Sequence, residues 1–114
     1  MSNDKLSKPS RDLARRILSE VDFADRLIAF RLRERTGPIS TSLYSFAEVL
    51  GLLCDPHPRI DFHQLLTWIR EVMKDRELAS RVENIIGDDV SDQDKTLRTR
   101  DLMVQRLAQC KKAI

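Results

Sequence analysis

The sequence predicts an all-α fold: a compact bundle of four to five helices around one central apolar helix at about residues 42–54. Three observations predict it. The stretch 43–54 interrupts its apolar residues only at Ser45, Glu48 and Gly51, and a helix with so narrow a polar stripe must be wrapped by other helices. Elsewhere apolar residues recur at three- and four-residue spacing, the period of an amphipathic helix. Finally, only 3 Gly and 4 Pro stand against 33% charged residues in the 114-residue chain, a composition that suits helices with solvated outer faces. At this length about two-thirds of the chain's surface can be buried, so one domain needs no disulfide or metal staple. The expected division is a flexible N-terminal segment at 1–9 and a single helical domain at 10–114.

The first helix opens at Pro9-Ser10, with Ser10 as its N-cap. Leu13, Ile17, Val21, Ala24, Ile28 and Leu32 then follow at helical spacing. The pattern allows a helix running to about residue 35. It also allows a break at 19–22, where Ser19 and Asp22 lower helix propensity. Gly37-Pro38 stops it, since proline cannot continue a helix. Phe23, Leu27 and Phe30 form a second apolar line on the same segment. A helix apolar on two faces must touch two neighbours, or one neighbour and another subunit.

Ser40-Thr41-Ser42 offers N-caps for the central helix, which ends by Asp55-Pro56. Pro56 and Pro58 favour extended geometry in the residues before them, making 55–60 a rigid connector. Asp61 caps the third helix, with Gln64 three residues on and Ile60 and Leu65 placed as a hydrophobic staple. Its inner face is Phe62, Leu65, Leu66, Ile69, Val72 and Met73. A continuation or restart at Asp75 carries Leu78, Val82, Ile85 and Ile86 and stops at Gly87. Ser91 with Asp94 caps the last helix. That helix has a thin seam of Leu97, Val104, Leu107 and Ile114, with Met103 and Cys110 beside it and Arg100 and Lys111 interrupting it. It is expected to be the helix least committed to the core. The expected core residues are Leu43, Phe46, Leu50, Leu53, Leu66, Trp68 and Ile69.

Chemistry is sparse. Gly37, Gly51 and Gly87 form no phosphate-cradling loop. No nucleophile, base and oxyanion donors can be named together, so neither a catalytic residue nor a cofactor is expected. The elbow at 54–63 gathers Cys54, His57, Asp61 and His63. Cys54, His57 and His63 are the candidate metal ligands. Their Cys-x2-His-x5-His spacing lacks the second pair that structural zinc motifs supply, and Asp61 is occupied as a cap. No metal is expected.

The chain has 14 Arg and 6 Lys and a net charge of +2. Arg11, Arg15, Arg26 and Arg33, with Arg98 and Arg106 on the last helix, are candidates for phosphate contact. Acidic residues interleave with them, and Asp88, Asp89, Asp92 and Asp94 crowd the start of the last helix. A recognition helix presents that end to DNA.

The surplus apolar residues point elsewhere. Phe23, Leu27, Phe30, Met103, Leu107 and Ile114 exceed what one small core requires and are the candidate interface. The expected function is therefore a non-enzymatic helical protein-interaction module that binds a protein partner, including itself as a dimer. The alternative is a DNA- or RNA-binding regulator. Two Cys are too few for a secreted disulfide scaffold. Residues 1–10 hold no apolar run of a secretory signal, and no window approaches the roughly 18 apolar residues of a membrane span. The expected setting is the cytoplasm, with free thiols and no membrane partner.

Overall fold

The computed structural model describes residues 6–33, 37–54 and 60–114, and of residues 30–33 and 37–39 the backbone alone. The order of elements is α1 (Arg11–Leu18), a 3-10 turn (Phe23–Asp25), β1 (Leu27–Arg33), β2 (Gly37–Leu43), α2 (Phe46–Leu53), α3 (Phe62–Glu71), α4 (Arg76–Gly87) and α5 (Asp92–Ala113). The chain is mostly helical, with five α-helices and a two-stranded antiparallel sheet among the described residues.

The hairpin corrects the all-α expectation. The first helix does not reach residue 35. It ends at Leu18, where Ser19 is extended at ψ 159° and its N–H donates to the Arg16 carbonyl. The Ser19 hydroxyl also donates to the Arg15 carbonyl at 2.6 Å, diverting a backbone acceptor of the last turn. Beyond it, Ile28, Phe30 and Leu32 alternate with Ala29, Arg31 and Arg33, a period of two that suits a strand. The spacing of Ile28 and Leu32 satisfies a helix equally well, which is why the segment reads as a two-faced helix. Pairing with the return strand decides between the two. Register runs from Leu27 opposite Leu43 to Arg33 opposite Gly37. Gly37-Pro38, expected as a helix stop, therefore opens β2. At the base of the hairpin Leu27, Ala29 and Leu43 are buried, whereas Ile28 is exposed, as strand alternation requires.

Helix starts follow local chemistry. The Ser10 hydroxyl accepts from Leu13 N–H. The Asp61 carboxylate accepts from His63 and Gln64. Ser91 accepts from Asp94. The central helix starts at Phe46 rather than about residue 42, capped by Ser45, whose hydroxyl accepts from Glu48 N–H. Glu48 reaches back to accept the Tyr44 N–H at 2.6 Å, a variant of the capping box. Of the expected core, Leu43, Phe46, Leu53, Leu66, Trp68 and Ile69 are buried, and Leu50 is half-buried. Between α3 and α4, Lys74 takes the left-handed conformation at φ 59°, and the turn closes with Met73 N–H on the Trp68 carbonyl and Asp75 N–H on that of Ile69.

The last helix is not peripheral: α5 packs against α1, α2 and α4. Its buried residues are Thr99, Met103, Arg106 and Cys110, while Leu97, Val104 and Ile114 are exposed. The seam is thus turned away from the one expected, because it admits an arginine. Arg106 is 1% exposed, as is Asp75. Arg106 Nε lies 2.8 Å from Asp75 Oδ2. That contact is an ion pair. Arg106 Nη2 donates to Asp75 Oδ1 at 3.2 Å and to Glu77 Oε1 at 2.9 Å. Asp75 Oδ1 also caps α4 by accepting from Leu78 N–H. A buried guanidinium is tolerated when carboxylates and hydrogen bonds replace its water.

Candidate interaction surface

One surface with exposed apolar groups lies where the 3-10 turn and β1 meet α3. Phe23 is 66% and Ile28 40% exposed. Between the turn, β1 and α3 runs an open groove of about 630 Å³, lined mainly by apolar atoms of Ala24, Leu27, Ile28, Thr67, Trp68 and Val72. Two contacts fix its floor and lip. The Trp68 indole N–H donates to the Asp25 carbonyl at 2.8 Å, tying the turn to α3. Arg26 lies over the Phe23 ring at 3.7 Å, within cation–π range. It also donates to the Phe23 carbonyl and the Ser42 hydroxyl. Phe23 is therefore held outward by a cation rather than folded into the core.

The hairpin adds a second feature. Among the described residues no third strand joins either edge of the sheet, so main-chain donors and acceptors on both outer edges lack a strand partner. A second cleft of about 520 Å³ between α3 and α4 is of a different kind, mixing Arg70, Lys74 and Arg76 with Glu71 and Glu83. It presents no single sign of charge.

The residues expected at an interface divide. Leu27 and Met103 are 4% and 0% exposed and belong to the core; Leu27 faces inward at the hairpin base and Met103 sits on the turned seam of α5. Leu107 is half-buried. Phe23 and Ile114 are exposed but stand on separate elements. The side chain of Phe30 lies outside the described residues. Sequence reasoning missed Ile28 and the α3 side of the groove. The alternation at 27–33 was the signal that would have found Ile28.

The arginines considered for nucleic acid have different surroundings. Arg11 and Arg15 are exposed on α1. Arg26 is engaged with Phe23, and Arg98 pairs with Asp88 at 3.2 Å. Arg106 is inside the fold, and the side chain of Arg33 lies outside the described residues. Of the candidate metal ligands, Cys54 and His63 are exposed and His57 lies outside the described residues. Among the described residues no group of three or more His, Cys, Asp or Glu could hold a metal ion, and no helix is long and apolar enough to cross a membrane.

Electrostatics concentrate around Arg106. Burial raises the proton affinity of Glu77, but the Ser7 N–H and the Arg106 guanidinium outweigh it and hold the carboxyl below its ordinary value. Burial pushes the Cys110 thiol up, with Asp75 adding to the effect and Arg106 opposing it. Cys54 is free and exposed, Cys110 free and buried. A thiol reagent such as dithionitrobenzoate is therefore expected to titrate one thiol of the native chain within minutes. The second should react only in denaturant; two fast thiols would mean that Cys110 is not enclosed.

The chain matches no protein-family model, no curated protein and no solved structure.

Proposed function

We propose that this chain is a non-enzymatic protein-interaction module that pairs with a second copy of itself through the hairpin and the adjoining α3 groove. One observation carries the reading: exposed Phe23 and Ile28 flank an apolar groove beside a sheet with no third strand among the described residues. A two-stranded sheet is marginal alone, and an unpaired edge is a template for another chain. Two identical edges can meet about a two-fold axis, giving a closed, self-complementary interface. Arg26, His63 and Glu71 border the groove and would set orientation at its rim. Free thiols at Cys54 and Cys110 support a reducing, cytoplasmic setting.

The test is self-titration: a fluorescently labelled chain against the unlabelled chain. Ile28→Lys is expected to weaken self-binding at least tenfold, about 1.4 kcal/mol, with helical circular dichroism unchanged because Ile28 is already exposed. Ile114→Lys, on the terminus of α5, is expected to leave the affinity within about twofold, because it lies outside the groove. An Ile28→Lys chain that self-associates like the parent would overturn the reading.

A further inference from the structure

Residues 6–9 lie on α4 and α5 in a manner unlike the rest of the chain. They are neither helix nor strand, and side chains meet their main chain. Leu6 N–H donates to Gln105 Oε1 at 3.1 Å, and the Leu6 carbonyl accepts from Gln109 Nε2 at 2.7 Å. Ser7 N–H donates to both Glu77 carboxylate oxygens, at 3.0 and 2.9 Å, and the Ser7 carbonyl accepts from Arg106 Nη1 at 2.8 Å. All four backbone groups of two successive residues are thus matched by side chains of α4 and α5.

The side chains of the strap obey a simple period. Leu6 is 4% exposed and Pro9 is buried, whereas Ser7 and Lys8 between them are exposed. Burial at i and i+3 is the repeat of a polyproline helix, which has three residues per turn. Lys8 precedes a proline and is biased to the same region. Ser10, which follows, has φ −67° and ψ 161°, close to polyproline values.

Three of the receiving groups, Glu77, Arg106 and Gln109, are linked to one another. Arg106 is held by Asp75 and Glu77 and donates to Gln109 Oε1 at 3.0 Å. None of those bonds involves the strap, so the reader is preorganised, which lowers the cost of binding. Main-chain readout with pockets for alternate side chains is how extended peptides are recognised.

We propose that the α4–α5 face is a binding site for an extended peptide of the pattern apolar–x–x–Pro, occupied here by the chain's own residues 6–9 as an intramolecular ligand. A tethered ligand competes at an effective concentration of the order of millimolar. A peptide added in trans therefore binds well only when the strap is weakened.

The probe is a labelled synthetic peptide spanning residues 3–10, titrated into the full chain and into the full chain carrying Leu6→Ala. Affinity for the Leu6→Ala chain is expected to exceed that for the parent at least tenfold. A peptide carrying Leu6→Asp should not bind, and adding Gln105→Ala and Gln109→Ala to the Leu6→Ala chain should lower affinity at least tenfold. If Leu6→Ala disturbs the fold, Ser7→Pro is the second release variant. It removes the N–H given to Glu77 together with the Ser7 side chain, which also hydrogen-bonds Glu77, and it carries the same expectation. A folded release variant that binds the peptide no better than the parent, or a binding unaffected by loss of both glutamines, would overturn the proposal.

Discussion

Replacing Arg106 with alanine is expected to destabilise the chain by about 3–5 kcal/mol, the usual cost of removing one partner from a buried ion pair. The reason is what remains. Asp75 is 1% exposed and, without the guanidinium, its carboxylate would stay buried with the Leu78 N–H as its hydrogen-bond partner among the described residues. Glu77 and the Ser7 carbonyl would lose the same partner. Against a total stability of about 5–15 kcal/mol for a typical domain, such a loss is a large fraction. Urea denaturation followed by circular dichroism measures it. The double variant Arg106→Met with Asp75→Asn is expected to recover much of the loss, because it removes both charges while Asn keeps an oxygen for the α4 cap. An Arg106→Ala chain within about 1 kcal/mol of the parent would show that the guanidinium is not enclosed between α4 and α5, since only exposed pairs are worth so little.

Phe46→Ala is expected to cost about 3–5 kcal/mol, the range for removing a large aromatic side chain from a packed core. Phe46 is 0% exposed and shares its core with Leu43, Val49, Leu52 and Leu53. It sits in the first turn of α2, directly after the Ser45 cap. Little room for relaxation is available there, because the hairpin base and α2 bury their apolar residues in one cluster. Leu50→Ala, one turn on, should cost less, since Leu50 is only half-buried and loses less transfer energy. Equal losses at the two positions would contradict the placement of α2.

Much of the helical frame was legible because its signals are local. Ser10, Asp61 and Ser91 cap their helices through side chains that act two or three residues away, and a linear reading captures such bonds. The hairpin was not legible by the same route. Ile28 and Leu32 fit a helical stripe, and only pairing with 37–43, a contact between distant residues, selects the strand. Propensity for strand depends on such context more than propensity for helix does. The buried seam of α5 was misplaced for a related reason. Arg106 lies 31 and 29 residues from the carboxylates that neutralise it, so nothing near it in sequence marks it as internal. Hydropathy placed it outside and turned the whole helix with it. The candidate surface inherits both errors: Met103 and Leu27 move into the core, and Ile28 emerges exposed, as Phe23 is.

The central functional claim is that the hairpin edge and the α3 groove receive a second copy of this chain. Sedimentation equilibrium of the unaltered protein across micromolar to near-millimolar concentration tests it most directly. The expected weight-average mass rises with concentration from 13.2 kDa towards twice that value. A mass that stays at 13.2 kDa throughout the range would contradict it.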